Sequence, residues 1–121
     1  MADKVTQVKV ETVPSESAPP ITVLRFTGDV TSASKAAVLG TFQGLPVDAK
    51  RILLDFSGVD YLNSSGIALV IQLMIAANKG GQKVRTFGLK PHFIKVFTMV
   101  GITRYTTLHP DEKTACAAFA S

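Results

Sequence analysis

Asn63-Ser64-Ser65-Gly66 is the segment whose residue types and spacing suit chemistry. It follows the apolar run Arg51-Ile52-Leu53-Leu54-Asp55-Phe56 and precedes an apolar stretch that begins at Ile67. A buried strand, a short loop and the start of a helix are therefore expected there. Asn and Ser are among the best helix N-caps, because a side-chain oxygen accepts a backbone N–H of the first turn. One of Asn63 or Ser64 suffices for that role. A spare hydroxyl remains beside the unpaired N–H groups, Ser65 first and Ser64 as the alternative. Those donors and the helix dipole favour negative charge. A phosphoserine there adds about −1.5 to −2 charges and changes the surface shown to a partner without unfolding the chain.

Other chemistries lack their residues. Leu62-Asn63-Ser64-Ser65-Gly66 misses the first glycine of the Gly-x-Ser-x-Gly nucleophile elbow. His92 and His109, the available bases for a hydrolase, each adjoin a proline and read as surface residues. No cluster of His, Cys, Asp and Glu has metal-ligand spacing, and no Gly-x-x-x-x-Gly-Lys-Ser/Thr loop is present. The expectation is a non-enzymatic protein with no cofactor. Cys116, the single cysteine, lies among Ala115, Ala117, Ala118 and Phe119 and reads as a buried structural thiol.

The elements that must position the serines follow from periodicity and turn chemistry. Val5 to Val13 alternates, with Val8, Val10 and Thr12 facing one way, which suits a half-buried edge strand. A Pro/Ser-rich loop over 14–20 precedes a second strand from Ile21 to Phe26, which ends at Thr27-Gly28-Asp29. Thr31 to Ser34 offers several N-caps for a helix that stops near Gly44. Arg51 to Phe56 has no alternation, as expected of a strand buried on both faces. The next helix runs from about Ser65 to Asn78 and closes at Gly80-Gly81. A strand over Lys83 to Leu89 leads to Pro91 at a helix first turn. There Phe93, Val96, Phe97 and Val100 form one apolar stripe. A short strand near Tyr105 to Leu108 and a helix from about Pro110 to Phe119 complete an α/β chain. It predicts a single domain over residues 1–121, with a mixed four- to five-stranded sheet and about four helices.

The helix after Ser65 is apolar around most of its circumference, through Ile67, Leu69, Val70, Ile71, Leu73, Met74 and Ile75. Such a helix has neighbours on several sides or offers an apolar face to a partner, and the pattern alone leaves both open.

The strand, Asn63-Ser64-Ser65-Gly66, the apolar helix and Gly80-Gly81 together resemble the STAS domain of the bacterial anti-sigma factor antagonists. The strand through Leu89, Thr98-Met99-Val100-Gly101-Ile102 and the alanine-rich last helix continue the likeness from about Ile21 onward. The resemblance implies a protein-binding switch. Its unphosphorylated form binds an anti-sigma factor that is also a serine kinase, and so frees a sigma factor. Phosphorylation of the serine before the motif glycine, here Ser65, releases it, and a phosphatase resets it. Asp29, Thr31, Asn63, Ile67 and Val70 are the expected partner-binding positions, with Asn63, Ser64 and Gly66 forming the phosphosite loop and cap. The chain departs from the family in having Asn63 where an acid often precedes the serines, and Thr31 where a second acid often follows Gly28-Asp29-Val30. The alternative implied by the same resemblance is a constitutive STAS scaffold, as an accessory subunit of a signalling complex or of a lipid-transport ATPase, in which the serines are only caps.

Bulk properties set outer bounds. The chain has 121 residues, 46% hydrophobic and 18% charged, with a formal net charge of +4. That is too apolar for disorder and only mildly basic. Lys83, Arg85, Lys90, Lys95 and Arg104 lie in the C-terminal half without aromatic platforms beside them, which argues against direct nucleic-acid binding. A solvated face explains them, and an acidic partner protein is the better reading if they cluster. The N-terminal residues lack a signal-peptide core, and the stretch Ile67 to Ala77 is far short of the roughly 20 residues that cross a bilayer. A cytoplasmic protein without membrane insertion is expected.

Overall fold

Strand pairing sets the frame of the computed structural model, which describes residues 5–14 and 19–119. The strands are β1 (Gln7–Val13), β2 (Ile21–Val30), β3 (Arg51–Leu62), β4 (Lys83–Phe87) and β5 (Thr106–His109). They form one sheet in sequence order, with β1 and β2 antiparallel and every later pair parallel. Parallel neighbours need crossovers, and right-handed crossovers that step one way across a sheet put their helices on one face. A helical run over 32–43 and helices α2 (Ser64–Lys79) and α3 (Pro91–Met99) occupy that face. Leu24, Phe26, Ile52, Leu54 and Phe56 meet Val38, Val70, Leu73, Met74 and Phe97 there in the main core. Among the described residues, helix α4 (Glu112–Ala118) alone covers the other face, where Ala115 and Phe119 pack on Ile21, Val23, Leu53 and Phe87.

One guanidinium ties this second face together. Arg25 on β2 donates to Glu11 on β1, to Asp55 Oδ2 on β3 at 2.9 Å and to Glu112 Oε1 on α4 at 2.8 Å. Asp55 also accepts from the Ser57 backbone N–H and hydroxyl, at 2.9 and 2.6 Å. The hydrogen bonds that Arg25 donates to Glu112 and then Glu11 hold its pKa well above its ordinary value.

Several expectations are corrected. The strand expected over Ile21 to Phe26 continues to Val30, and the one expected over Arg51 to Phe56 continues to Leu62, so the short loop before Asn63 is strand. Register shifts between Arg25 and Thr27 and between Gly28 and Asp29 each give β3 one residue more than β2. Those bulges break the alternation and hide the strand from a period-two reading. The helix over 32–43 is a 3-10 turn (Ser32–Ser34), a π-helical stretch (Ala36–Gly40) and a last turn α1 (Thr41–Gln43). Val10 is 46% exposed, because β1 lies at the sheet edge. Val100, the expected last member of the α3 stripe, is 53% exposed beyond the helix end. The strand expected to reach Leu89 stops at Phe87, before Gly88 with φ +85°. The last helix starts after Asp111, whose carboxylate accepts from the Thr114 N–H at 2.8 Å. Cys116 is half-buried, and burial raises its thiol pKa. Residues 15–18 of the expected loop, the first four residues and the last two lie outside the described residues.

Candidate functional site

Asn63 ends β3 in an extended conformation, φ −97° and ψ 179°, and caps α2. Its Oδ1 accepts the Gly66 N–H at 2.8 Å, and its backbone carbonyl accepts the Ile67 N–H at 2.9 Å. Its own N–H donates to the Val30 carbonyl at 3.3 Å, which ties the helix start to the end of β2. The capping role is therefore filled by Asn63. Ser64 and Ser65 form the first two helical positions, both exposed, and neither hydroxyl has a partner among the described residues. Their backbone N–H groups lie where a helix has no internal acceptor. No acidic residue stands in this first turn, so the positive end of the 16-residue helix is not offset locally.

Gly66 decides how closely this helix start approaches the sheet. A Cβ on Gly66 would lie 2.0 Å from the Val30 oxygen and 2.5 Å from its carbonyl carbon. Only glycine allows the two backbones to touch there. Gly66 is buried at this contact, while Ser64 and Ser65 before it stay exposed.

Asp29, Thr31, Asn63, Ser64 and Ser65 come together at the carboxyl-terminal rim of β2 and β3. Val30 pairs with Leu62 and Asp29 with Tyr61. Thr31 caps the following 3-10 turn: its hydroxyl accepts the Ala33 N–H at 3.2 Å, while Ser34 Oγ accepts the Thr31 N–H at 2.9 Å. Thr6 and Ser34 both hydrogen-bond the Asp29 carbonyl oxygen, fixing the first helical run to the strand end. A hollow of about 310 Å³ opens beside this rim, lined by Val5, Thr6, Asp29, Thr31, Ser34 and Ala37.

The apolar helix divides into faces. Leu69, Val70, Leu73, Met74 and Ala77 are buried, Ile67, Ile71 and Ile75 are half-buried along one flank, and Ala68, Gln72 and Ala76 are exposed. Val70, expected at the partner surface, is 0% exposed within the main core and cannot touch a partner. The 3.6-residue period groups it with Leu73, Met74 and Ala77, and packing against the sheet buries that face. Ile67 also packs against the core but keeps partial exposure. Tyr61, not singled out in the sequence, is 51% exposed opposite Asp29. An aromatic two residues before the cap was the available signal, but with a loop expected there its side had no meaning.

Neither imidazole hydrogen-bonds the serines. His92 lies edge-on to Phe93, with ring centroids 5.4 Å apart, and His109 Nε2 lies 2.6 Å from Thr107 Oγ1. Among the described residues no group of three or more His, Cys, Asp or Glu can hold a metal ion, and no helix is long and apolar enough to cross a membrane.

The family model described as "Mlab, STAS domain" matches residues 15–110. No curated protein matches the sequence. Among solved structures, the fold is similar to an anti-sigma factor antagonist from Mycobacterium paratuberculosis, at 15% identity and TM-score 0.68, covering 95% of this chain and 96% of that one. It is similar to the anti-sigma factor antagonist SpoIIAA in its unphosphorylated form, at 19% identity and TM-score 0.63, covering 93% and 96%. A sulfate transporter family protein from Wolinella succinogenes also matches, at 13% identity and TM-score 0.72, covering 91% and 90%. At these identities the likeness establishes the fold. With the sequence match spanning most of its length, the chain belongs to the STAS domain family.

Proposed function

We propose that this protein is an anti-sigma factor antagonist-like binding switch, operated by phosphorylation of Ser65, with Ser64 as the alternative acceptor. The unphosphorylated form binds an anti-sigma factor that is also a serine kinase, in the cytoplasm, through the rim formed by Asp29, Thr31, Asn63 and Ile67, with Tyr61 beside it. The kinase transfers the γ-phosphoryl group of ATP to the serine oxygen; the hydroxyl proton leaves and ADP is released. The phosphorylated form dissociates, and a phosphatase restores the hydroxyl. The observation that carries this reading is the exposed Ser65 hydroxyl in the first turn of α2, spared from capping by Asn63. Asn63 and Thr31 bring no charge to the rim, so they add no repulsion against a phosphate.

The test is mass spectrometry after incubation with the cognate kinase and ATP, paired with binding of Ser65→Asp protein. A phosphate on Ser65 and about a hundred-fold weaker binding of Ser65→Asp, equivalent to ~3 kcal/mol, are expected. Absence of phosphate from both serines, with unchanged binding of Ser65→Asp, would instead support a constitutive STAS scaffold in which the serines only serve the helix start.

A further inference from the structure

The chain's charge is distributed unevenly along the strand direction. Strands β3, β4 and β5 run parallel, so their starting residues share one end of the sheet, and α2 and α3 return to that end at their C-termini. The Lys83 N–H donates to the Lys50 carbonyl at 2.8 Å, and Gln82 Nε2 to the Ala49 carbonyl at 2.8 Å, which fastens two of the segments together. Lys50, Arg51, Lys79, Lys83 and Arg104 all stand at this end, and within the segments 44–51, 79–83 and 99–105 the one carboxylate is Asp48. Five cations, of which Arg51 is half-buried, less one anion give +4 over these three segments. None of the five is ion-paired among the described residues. The same end carries Val47 at 91%, Met99 at 85% and Val100 at 53% exposure.

We infer that this end is a docking surface for an anionic lipid bilayer, met without spanning it. Cations attract the negative surface, and apolar side chains projecting between them enter the interfacial layer. A folded acidic partner fits less well, since tight protein interfaces seat an anchor side chain in a pocket. The apolar side chains here project outward instead, Val47 at 91% and Met99 at 85% exposure. A bilayer demands no such complementarity. The 16 residues of α2 span about 24 Å from Lys79 to the serines, so Ser65 points away from the docked surface and stays accessible. The inference is independent of whether Ser65 is modified.

The test is co-sedimentation of the full chain with vesicles of phosphatidylcholine containing about one-third phosphatidylglycerol, against pure phosphatidylcholine. Binding to the anionic vesicles alone is expected, weakening as salt rises. Each cation is worth about five-fold, so Lys79→Gln with Lys83→Gln weakens binding about 25-fold. Val47→Ser with Met99→Ser weakens it at least about ten-fold. Lys35→Gln with Lys90→Gln, at the Ser65 end, leaves it unchanged. All six positions are exposed, and an unchanged melting temperature confirms folding of each variant. Equal binding to both vesicle types, binding to neither, unchanged affinity of the Lys79/Lys83 variant, or preference for soluble poly-glutamate over vesicles overturns the inference.

Discussion

Replacing Gly66 with alanine adds one methyl group where the structure has no room for it. Helix propensity alone favours alanine over glycine by about 1 kcal/mol. Against that, the new Cβ meets the Val30 oxygen at 2.0 Å, the Val30 carbon at 2.5 Å and the Thr31 nitrogen at 3.1 Å. Comfortable carbon contacts begin near ~3.5 Å, so one backbone must retreat by about 1.5 Å. Overpacking costs about 1–3 kcal/mol, and here the obstacle is main chain, which places the cost at the upper end. The displacement also pulls on the Asn63 cap at Gly66 and on the Asn63–Val30 hydrogen bond, each worth about 1 kcal/mol. A net loss of about 3–4 kcal/mol is expected, equivalent to a fall of roughly 12–16 °C in melting temperature. Urea and thermal unfolding followed by circular dichroism read both quantities. Gly40→Ala is the control: its φ is −64°, nothing lies within 4 Å of the added Cβ, and a gain of about 0.4–1 kcal/mol is expected. Gly66→Ala protein as stable as the parent would refute the close-approach argument.

Two further predictions concern the α4 face. Arg25→Met should destabilise the fold by about 2–3 kcal/mol, because Asp55, whose side chain is 8% exposed, loses its cation. Hydrogen exchange in α4 should quicken as Glu112 is released, and unchanged protection there would count against the tie. Burial, aided by Arg85, holds the His109 pKa below its ordinary 6.5. The folded state thus prefers neutral imidazole, and its contribution is full above about pH 6.5 and drains as pH falls from there toward the folded value. The Arg25 hydrogen bond to Glu11 and the Thr114 N–H bond to Asp111 hold those carboxyls below their ordinary 4.5 and 3.8, so their contributions are lost only at lower pH. Urea midpoints measured across pH should show an early decline that His109→Gln removes; identical profiles for the two proteins would defeat this assignment.

Local chemistry in the sequence was enough for the element order and for a helix start at Asn63-Ser64-Ser65, while the structure chose Asn63 over Ser64 as the cap. Asn63 accepts the Gly66 N–H because a carbonyl oxygen three residues upstream of a first-turn donor reaches it whatever surrounds the helix. Pro91 at a helix first turn, and Gly81 and Gly101 in the left-handed conformation past two helix ends, act through backbone preferences that belong to the residues themselves. Tertiary packing alone decided the lengths of β2 and β3, whose bulges answer to a neighbouring strand and leave no period in either sequence. It also decided which side of α2 is core: a helix apolar around most of its circumference carries only a weak label, at Gln72, so Val70 was buried and Tyr61 exposed by contacts made with distant segments. The gathering of Lys50, Lys79, Lys83 and Arg104 at one end is of the same kind, because parallel strands bring together residues that are far apart in the chain.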